Sequence, residues 1–222
     1  MTGFNDPSAV ARYAENPPRL VPGFSDLQRM TRLLLSEWAP ADGRILVVGA
    51  GGGLELQAFA EAQAGWRFTG VDPSAEMLKL ARRTLGPLAD RAKLHEGYIA
   101  SAPTGPFDGA SCLLTLHFVP AAERLATLKA IRRRLKPGAP FVVAHHSLPE
   151  GPDRHLWLDR FAAFAADNGV AFDQAKAGAR ALGENLPILS PEAEVDLLRA
   201  AGFVNPQLFY AAFSFRGWVA YA

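Results

Sequence analysis

The sequence has few of the features that mark secreted, membrane-spanning or strongly charged proteins. Cys112 is its single cysteine, which excludes a disulfide framework and any site built from several thiolates. No run of eighteen apolar residues is present, and the N-terminus lacks the apolar core of an export signal. These absences predict a cytoplasmic protein that does not enter a membrane.

An excess of charge of one sign is also lacking. The chain has 23 Lys and Arg against 22 Asp and Glu, so no overall field attracts nucleic acid or an anionic membrane surface. The longest basic cluster, 132–134, is predicted to end a helix, where solvated cations suit the negative end of the helix dipole. We therefore expect no nucleic-acid partner and no membrane association.

Apolar residues are plentiful: 49% of the 222 residues are hydrophobic, enough for a sizeable core. Short apolar strands alternate with amphipathic helices, a pattern typical of a parallel sheet covered on both faces. Strands are predicted at 44–48, 66–71, 92–95, 107–115 and 140–145, and helices at 53–64, 74–85 and 121–135. Two aromatic-rich strands joined around 213–216 should be antiparallel. The prediction is an α/β, Rossmann-like, seven-stranded, mostly parallel sheet with a C-terminal antiparallel pair.

The remaining segments flank this pattern. Residues 1–22 are predicted to be irregular, and a following helix, capped by Ser25, would bear Leu27, Met30, Leu33, Leu34 and Trp38. Residues 151–182 have a helical pattern, and "SPEAE" begins another helix over 191–201. We expect 1–222 to form a single domain in which 1–24 and 148–188 cap the active site.

The stretch "RILVVGAGGGLEL", residues 44–56, predicts a sharp strand-to-helix turn whose backbone approaches a ligand. The dinucleotide fingerprint needs a third glycine where Leu54 stands, and a phosphate-binding P-loop needs a Lys followed by Ser or Thr, which is lacking. A permissive dinucleotide site and a bare turn without a ligand remain open as alternatives.

A second element of the predicted site follows about twenty residues later. Asp72 ends a strand in "FTGVDPSAEML", where a carboxylate can accept both hydroxyls of a ribose. The segment "HEGYIAS" follows the next strand. The three loops should meet at the carboxyl edge of the sheet, where open α/β sheets bind ligands.

With these motifs the chain resembles the class I S-adenosylmethionine-dependent methyltransferases, through "VVGAGGG", "VDPSAEML", "EGYIAS", "FDGASCLLTLHFV" and "LKPGAPFVV". The resemblance implies S-adenosylmethionine as cofactor and S-adenosylhomocysteine as product. The turn would lie against the methionine part, Asp72 would hold the ribose, and Met77, Tyr98 and Ile99 would flank the adenine. The implied cofactor-binding residues are Gly49, Ala50, Gly51, Gly53, Asp72, Pro73, Met77, Tyr98, Ile99 and Thr115.

Methyl transfer from a sulfonium needs alignment and a dry site more than acid–base catalysis, and a base only where the acceptor must lose a proton. Candidate bases on the acceptor side are His117, after the fourth strand, and His145, after the fifth. His146 and Phe24 are candidate substrate-binding residues. A structural role for each histidine remains the alternative, and no metal site is expected.

A closer resemblance is to the bacterial enzymes that make carboxy-S-adenosylmethionine, through "RLVPGFSDLQRM", "LTLHFV", "RALGEN" and "LFYAAFSFRGWVA". The Arg that meets the extra carboxylate in that group matches Arg180. The chain departs from the group at Phe24, Tyr98 and Leu113, where the group has Tyr, Asp and Asn. These departures favour a methyltransferase that uses ordinary S-adenosylmethionine on a small-molecule acceptor. The alternatives are a carboxy-S-adenosylmethionine synthase-like enzyme and a non-catalytic cofactor-binding protein, and a homodimer is a candidate assembly.

Overall fold

The computed structural model describes residue 10 and residues 15–222. Its strands are Arg44–Val48 (β1), Arg67–Asp72 (β2), Ala92–Glu96 (β3), Gly109–Leu113 (β4), Pro140–His146 (β5), Val204–Ala212 (β6) and Phe215–Tyr221 (β7). Its α-helices are Asn16–Leu20 (α1), Phe24–Ser36 (α2), Leu54–Ala62 (α3), Ala75–Leu85 (α4), Ala121–Arg132 (α5), Asp153–Asp167 (α6), Phe172–Asn185 (α7) and Pro191–Ala200 (α8).

The seven strands form one sheet in the order β3-β2-β1-β4-β5-β7-β6. The first five strands pair in parallel, while β7 is antiparallel to both β5 and β6. This confirms the predicted seven-stranded sheet and its C-terminal antiparallel pair. β2 and β3 lie on one side of β1, whereas β4 and β5 lie on its other side. The strand order therefore reverses between β1 and β4, and open α/β sheets bind ligands at such a point.

Helices cover both faces of the sheet, and β1 shows why. Its side chains alternate: Leu46 and Val48 face one apolar cluster with α5 and α8, while Ile45 and Val47 face another with α2, α3 and α4. A third cluster joins α6 and α7 to Leu113 at the end of β4. The described part of the predicted cap therefore packs against the carboxyl edge of the central strands.

Two predictions for the N-terminal segment were wrong. Residues 16–20, expected to be irregular, form α1, because Pro17 and Pro18 occupy a first helical turn where no backbone donor is needed. Ser25 does not cap α2, because Gly23 is the N-cap residue and the helix begins at Phe24, two residues earlier than a cap at Ser25 implies. Most of the rest of the predicted leader, 1–9 and 11–14, lies outside the described residues.

The buried face of α2 also differs from the prediction. The buried residues are Leu27, Gln28, Thr31 and Leu35. Leu33 is 48% exposed and Trp38 is 60% exposed. Since positions 27, 31 and 35 are separated by four residues, they share one face, and position 33 points away from it.

Two further boundaries are shorter than predicted. The fourth strand ends at Leu113 instead of continuing to 115, because Leu114 adopts a positive φ of 56° that breaks the extended backbone. The helix predicted at 121–135 ends at Arg132. Arg134 is not solvated but buried, and its guanidinium donates to the carbonyls of Ala130 and Ala102 at 2.8 and 2.9 Å.

Candidate functional site

The glycine-rich turn after β1 places bare backbone at the point where the strand order reverses. Gly49, Gly51 and Gly53 have φ values of 75°, 49° and 85°, a region that L side chains rarely adopt. A Cβ atom at Gly49 would lie only 2.0 Å from Oγ1 of Thr115. The turn after β1 and the loop after β4 therefore approach each other as closely as a glycine allows.

Asp72 joins this turn to the end of β2. Its Oδ2 accepts a hydrogen bond of 2.9 Å from the Gly51 amide, and its Oδ1 accepts one of 2.9 Å from the Ser74 amide. Burial raises the pKa of the Asp72 carboxyl, and these two amide bonds act in the opposite direction. Each carboxylate oxygen retains a further lone pair for another donor.

A cleft with an empty volume of about 360 Å³ opens beside the turn. Its lining combines the turn with α1, α2 and the end of β4: Pro17, Phe24, Gln28, Gly49, Ala50, Gly52, Gly53, Leu54, Glu55, Leu113 and Leu114. Gly49, Ala50, Gly53 and Phe24 are therefore brought together, as expected for neighbouring cofactor and substrate positions.

Glu55 is the charged cleft residue that the sequence analysis did not predict. It is 7% exposed, and its Oε1 has no hydrogen-bond partner within the described part of the chain. The spacing of Glu55 could have indicated its position. It precedes Phe59 by four residues, so the two side chains share one face of α3, and Phe59 is fully buried.

The residues expected to flank an adenine lie around the start of α4 and the loop after β3. Met77 and Ile99 are buried, whereas Tyr98 is 67% exposed and Pro73 is exposed. Ser74 caps α4 by accepting a hydrogen bond from the Met77 amide at 3.2 Å. This cap fixes the backbone that follows Asp72.

The three candidate histidines form a buried cluster behind the cleft. His117 lies 4.9 Å from the ring of His146 and 6.3 Å from that of His145, measured between centroids, and none of the three lines the cleft described above. Burial, and then the neighbouring charges, hold the pKa of His117 well below its usual value, and burial lowers the pKa of His146 to about 3. Both imidazoles are therefore neutral near pH 7.

The histidines differ in their partners. His146 Nδ1 lies 2.9 Å from the Ser214 hydroxyl, while His117 Nδ1 has no hydrogen-bond partner among the residues described. His145 Nε2 lies 3.0 Å from Oε1 of Glu194, but the contact lacks the alignment of a hydrogen bond. His117 Nδ1 and His145 Nδ1 are therefore both without a hydrogen-bond partner among the residues described.

Arg180 differs from the other predicted site residues, because its side chain is largely exposed and pairs with a neighbouring glutamate. Its side chain is 80% exposed on α7, where Nε donates to Oε1 of Glu184 at 2.8 Å. Arg180 does not line the cleft. The structure thus does not bring it to the glycine-rich turn, because α7 buries Ala175 and Ala179 and leaves Arg180 outward.

The described residues were also compared with the patterns of metal sites and membrane-spanning helices. These residues include no group of three or more His, Cys, Asp and Glu side chains arranged to hold a metal ion. None of their helices combines the length and apolarity needed to cross a bilayer.

Comparison with known proteins extends the resemblance. Residues 45–138, from β1 through the turn before β5, match the family described as a methyltransferase domain. The carboxy-S-adenosyl-L-methionine synthase of Chromohalobacter salexigens is 26% identical over 97% of this chain and 82% of its own length. That alignment includes the N-terminal and α6–α7 segments that the domain match leaves out.

Solved structures share the fold. PigF with SAH has a TM-score of 0.69 and 20% identity, and an O-methyltransferase family protein from Burkholderia thailandensis has a TM-score of 0.71 and 14% identity. These alignments cover 99% and 98% of this chain but 61% of each neighbour. Residues 45–138 therefore match the methyltransferase domain family, and the whole chain shares its fold with these two solved structures.

Proposed function

We propose that this protein is an enzyme that transfers the methyl group of S-adenosylmethionine to a small-molecule acceptor. The observation that carries the proposal is Asp72, whose carboxylate is fixed against the Gly51 amide of the glycine-rich turn, beside the point where the strand order reverses. The O-methyltransferase family protein from Burkholderia thailandensis, which shares this fold, supports a small-molecule acceptor.

The chain's residues fit this cofactor. The free lone pairs of Asp72 suit two ribose hydroxyls, and the buried carboxyl of Glu55 in the cleft suits a cationic group. The bound cofactor would supply an activated methyl group on its sulfonium. Gly49, Ala50, Gly51 and Gly53 would hold its methionine part, with Thr115 supporting the turn from the β4 side.

The other predicted cofactor residues keep their proposed roles. Met77, in the first turn of α4, and Tyr98 and Ile99, after β3, would flank the adenine, and Pro73 would contact the cofactor next to Asp72. Their placement around adjacent strand ends supports this assignment, because Asp72 pairs in register with the last residue of β3. Exposed Tyr98 is free to cover one face of a base.

We propose that 1–24 and 148–188 act as a cap within a single domain of residues 1–222. Pro17 and Phe24 line the cleft, and α6 and α7 pack against the end of β4, which supports a role in excluding water and selecting the acceptor. The Tyr210 hydroxyl donates to the Pro22 carbonyl at 2.6 Å, which anchors the described N-terminal part to β6.

For an acceptor that must lose a proton, we propose His117 as the base, because its unpartnered Nδ1 is neutral and can accept a proton. His145 would orient the cluster through Glu194, and His146 would contact the acceptor side. An acceptor that carries a free lone pair at neutral pH needs no such base.

Two other functions remain candidates. Similarity to carboxy-S-adenosyl-L-methionine synthases over nearly the whole chain favours an enzyme of that kind, but the outward pairing of Arg180 with Glu184 leaves the additional carboxylate without its expected partner. A non-catalytic protein that binds the cofactor would use the same cleft without turnover.

We propose a cytoplasmic location, no nucleic-acid partner and a homodimer as the candidate assembly. The balance of 23 basic and 22 acidic residues supports the lack of a nucleic-acid partner. Val204 and Leu208, which are 54% and 55% exposed on the edge strand β6, offer an apolar surface to a second copy.

Replacing Asp72 with Ala is expected to weaken S-adenosylhomocysteine binding by about 10- to 100-fold, because it removes charge-assisted hydrogen bonds worth about 1.5–3 kcal/mol. Isothermal titration calorimetry measures the affinity, and NADH should bind far more weakly than S-adenosylhomocysteine to the unaltered protein. Glu76→Ala is the matched control, because it removes a carboxylate near the start of α4 that pairs with Lys79 at the surface. Equal affinity in the Asp72 variant and the unaltered protein would contradict the ribose assignment.

The enzyme proposal is tested by incubating the protein with S-adenosylmethionine and fractionated metabolite extracts. We expect release of S-adenosylhomocysteine above the extract-free control, together with a product heavier than its acceptor by one methylene unit. Mass spectrometry of the same reactions distinguishes the candidates, since a carboxylated sulfonium indicates the synthase-like enzyme. Tight cofactor binding without any product across the extracts would favour the binding protein.

A further inference from the structure

Trp157 on α6 has two guanidinium groups close to its ring, one from its own helix and one from β7. The centre of the ring lies 4.4 Å from Cζ of Arg160 and 5.3 Å from Cζ of Arg216. Arg160 is exposed, whereas Trp157 and Arg216 are half-buried. The aromatic ring therefore holds two cations near each other at a position that solvent still reaches.

No carboxylate neutralises these two cations within the described part of the chain. Its ion pairs include neither Arg160 nor Arg216. Burial lowers the pKa of Arg216, and no acidic side chain acts in the opposite direction. A partly buried cation is costly without a counter-ion, so this position favours a ligand that brings an anion.

The same three side chains offer hydrogen-bond donors. Nη1 of Arg216 donates to the carbonyls of Phe213 and Phe215 at 2.6 and 2.7 Å, which fixes the guanidinium and leaves its Nε and Nη2 without a partner among the described residues. The Arg160 guanidinium and the Trp157 indole N–H also have no acceptor there. Because arginine and tryptophan side chains only donate, this group suits the oxygens of a carboxylate or a phosphate.

These side chains lie on the acceptor side of the ligand-binding edge of the sheet. Arg216 pairs in register with His145 at the carboxyl end of β5. The adjacent Phe215 stacks on His146 with ring centres 4.0 Å apart, and His146 lies 4.9 Å from His117, which follows β4. A row of three rings, those of His117, His146 and Phe215, therefore leads from the end of β4 toward Arg216.

We infer that the methyl acceptor carries an anionic group, a carboxylate or a phosphate, which Arg216, Arg160 and the Trp157 indole N–H bind at the outer end of this row of rings. The inference rests on the proposed function, because the acceptor is the second substrate of the methyl transfer. The bound anion would hold the acceptor along the edge of the sheet, with its reactive atom directed toward the cleft.

The first measurement identifies the metabolites that support turnover. A metabolite extract is separated by anion exchange at pH 7 into a retained, anionic part and an unretained part, and each part is incubated with the unaltered protein and S-adenosylmethionine. We expect the retained part to give the faster release of S-adenosylhomocysteine. Treating that part with alkaline phosphatase identifies the anion, since the release is lost if the acceptor needs a phosphate and is kept if it carries a carboxylate.

The second measurement locates the anion site with three variants. At limiting amounts of the retained part, Arg216→Gln and Arg160→Gln should each release S-adenosylhomocysteine about 10- to 100-fold more slowly than the unaltered protein, because a charge-assisted hydrogen bond is lost. Larger amounts should restore the rate, since the loss affects acceptor binding and not the transfer step. Arg199→Gln removes an exposed guanidinium on α8 and is the matched control, with an unchanged rate. All three variants should bind S-adenosylhomocysteine as the unaltered protein does.

The outcomes separate this inference from the proposed function. Unchanged rates in both Arg216→Gln and Arg160→Gln, or an unretained part that supports release as fast as the retained part, would overturn the anion site. If Arg216→Gln no longer binds S-adenosylhomocysteine, Arg160→Gln decides, because Arg160 is exposed and its loss leaves the hydrogen bonds of Arg216 in place. Binding of S-adenosylhomocysteine without release from either part would overturn the proposed methyl transfer, and this inference with it.

Discussion

Replacing Glu194 with Ala is expected to lower the free energy of unfolding by about 3–5 kcal/mol, because it leaves a buried guanidinium without its counter-ion. Arg124 Nη1 lies 2.7 Å from Glu194 Oε1, and the two side chains are 0% and 2% exposed. Nε of Arg124 also donates to the Val119 carbonyl, and Nη2 to that of Pro187. The pair therefore joins α5 to α8 and to the segment between α7 and α8.

Urea denaturation measures this change, and Asp196→Ala on the same helix is its control. Asp196 forms an exposed pair with Arg199 at 3.4 Å, with side chains 76% and 63% exposed, so its loss should change stability by no more than about 1 kcal/mol. Replacing Arg124 and Glu194 together with Met should cost less than Glu194→Ala alone. Equal stability of the two single variants would contradict the role assigned to the buried pair.

Gly53→Ala is expected to destabilise the protein by about 2–5 kcal/mol and to weaken cofactor binding at least tenfold. Gly53 has a φ of 85°, which costs an alanine about 1–2 kcal/mol. Its Cβ would also lie 2.7 Å from the Cα of Ala81 in α4, and relieving such overpacking costs about 1–3 kcal/mol. The turn must shift to admit the methyl group, and the cleft shifts with it.

Gly169→Ala separates the two contributions. Gly169 has a φ of 88°, close to that of Gly53, but a Cβ there would meet nothing within 4 Å. We expect only the cost of the backbone conformation, about 1–2 kcal/mol, with cofactor affinity unchanged. Denaturation and calorimetry on both variants test this comparison. If Gly53→Ala cost no more than Gly169→Ala, the close packing of the turn on α4 would not limit that position.

The site could be predicted in part because its residues follow strand ends. Gly49 and Asp72 lie next to apolar strands, and the carboxyl ends of parallel strands share one edge of the sheet, so their proximity follows from the pattern alone. The position of Arg180 could not be predicted, for the opposite reason. Its motif places it on a helix, but only the packing of α7 through Ala175 and Ala179 decides that its guanidinium faces outward.

The contacts of the histidine cluster also could not be predicted from the sequence. The sequence places His117, His145 and His146 after two adjacent strands, and it left a structural role open for each. The contact of His145 with Glu194 depends on α8, which comes about fifty residues later in the chain, and His146 packs against Phe161 of α6 and Phe215 of β7. No local pattern carries that information, because it arises from contacts between distant segments.

The sheet, its antiparallel end and its ligand-binding edge could all be predicted from the sequence. They depend on hydrophobic periodicity, on the positions of glycines and on the general rule that parallel sheets bind ligands at the carboxyl ends of their strands. Tertiary structure alone decided the buried state of Glu55, Arg134 and the Arg124–Glu194 pair. From sequence alone a charged residue is predicted to lie at the surface, because burying a charged group is costly unless it has a partner. Whether that partner exists is settled only when the fold brings distant groups together.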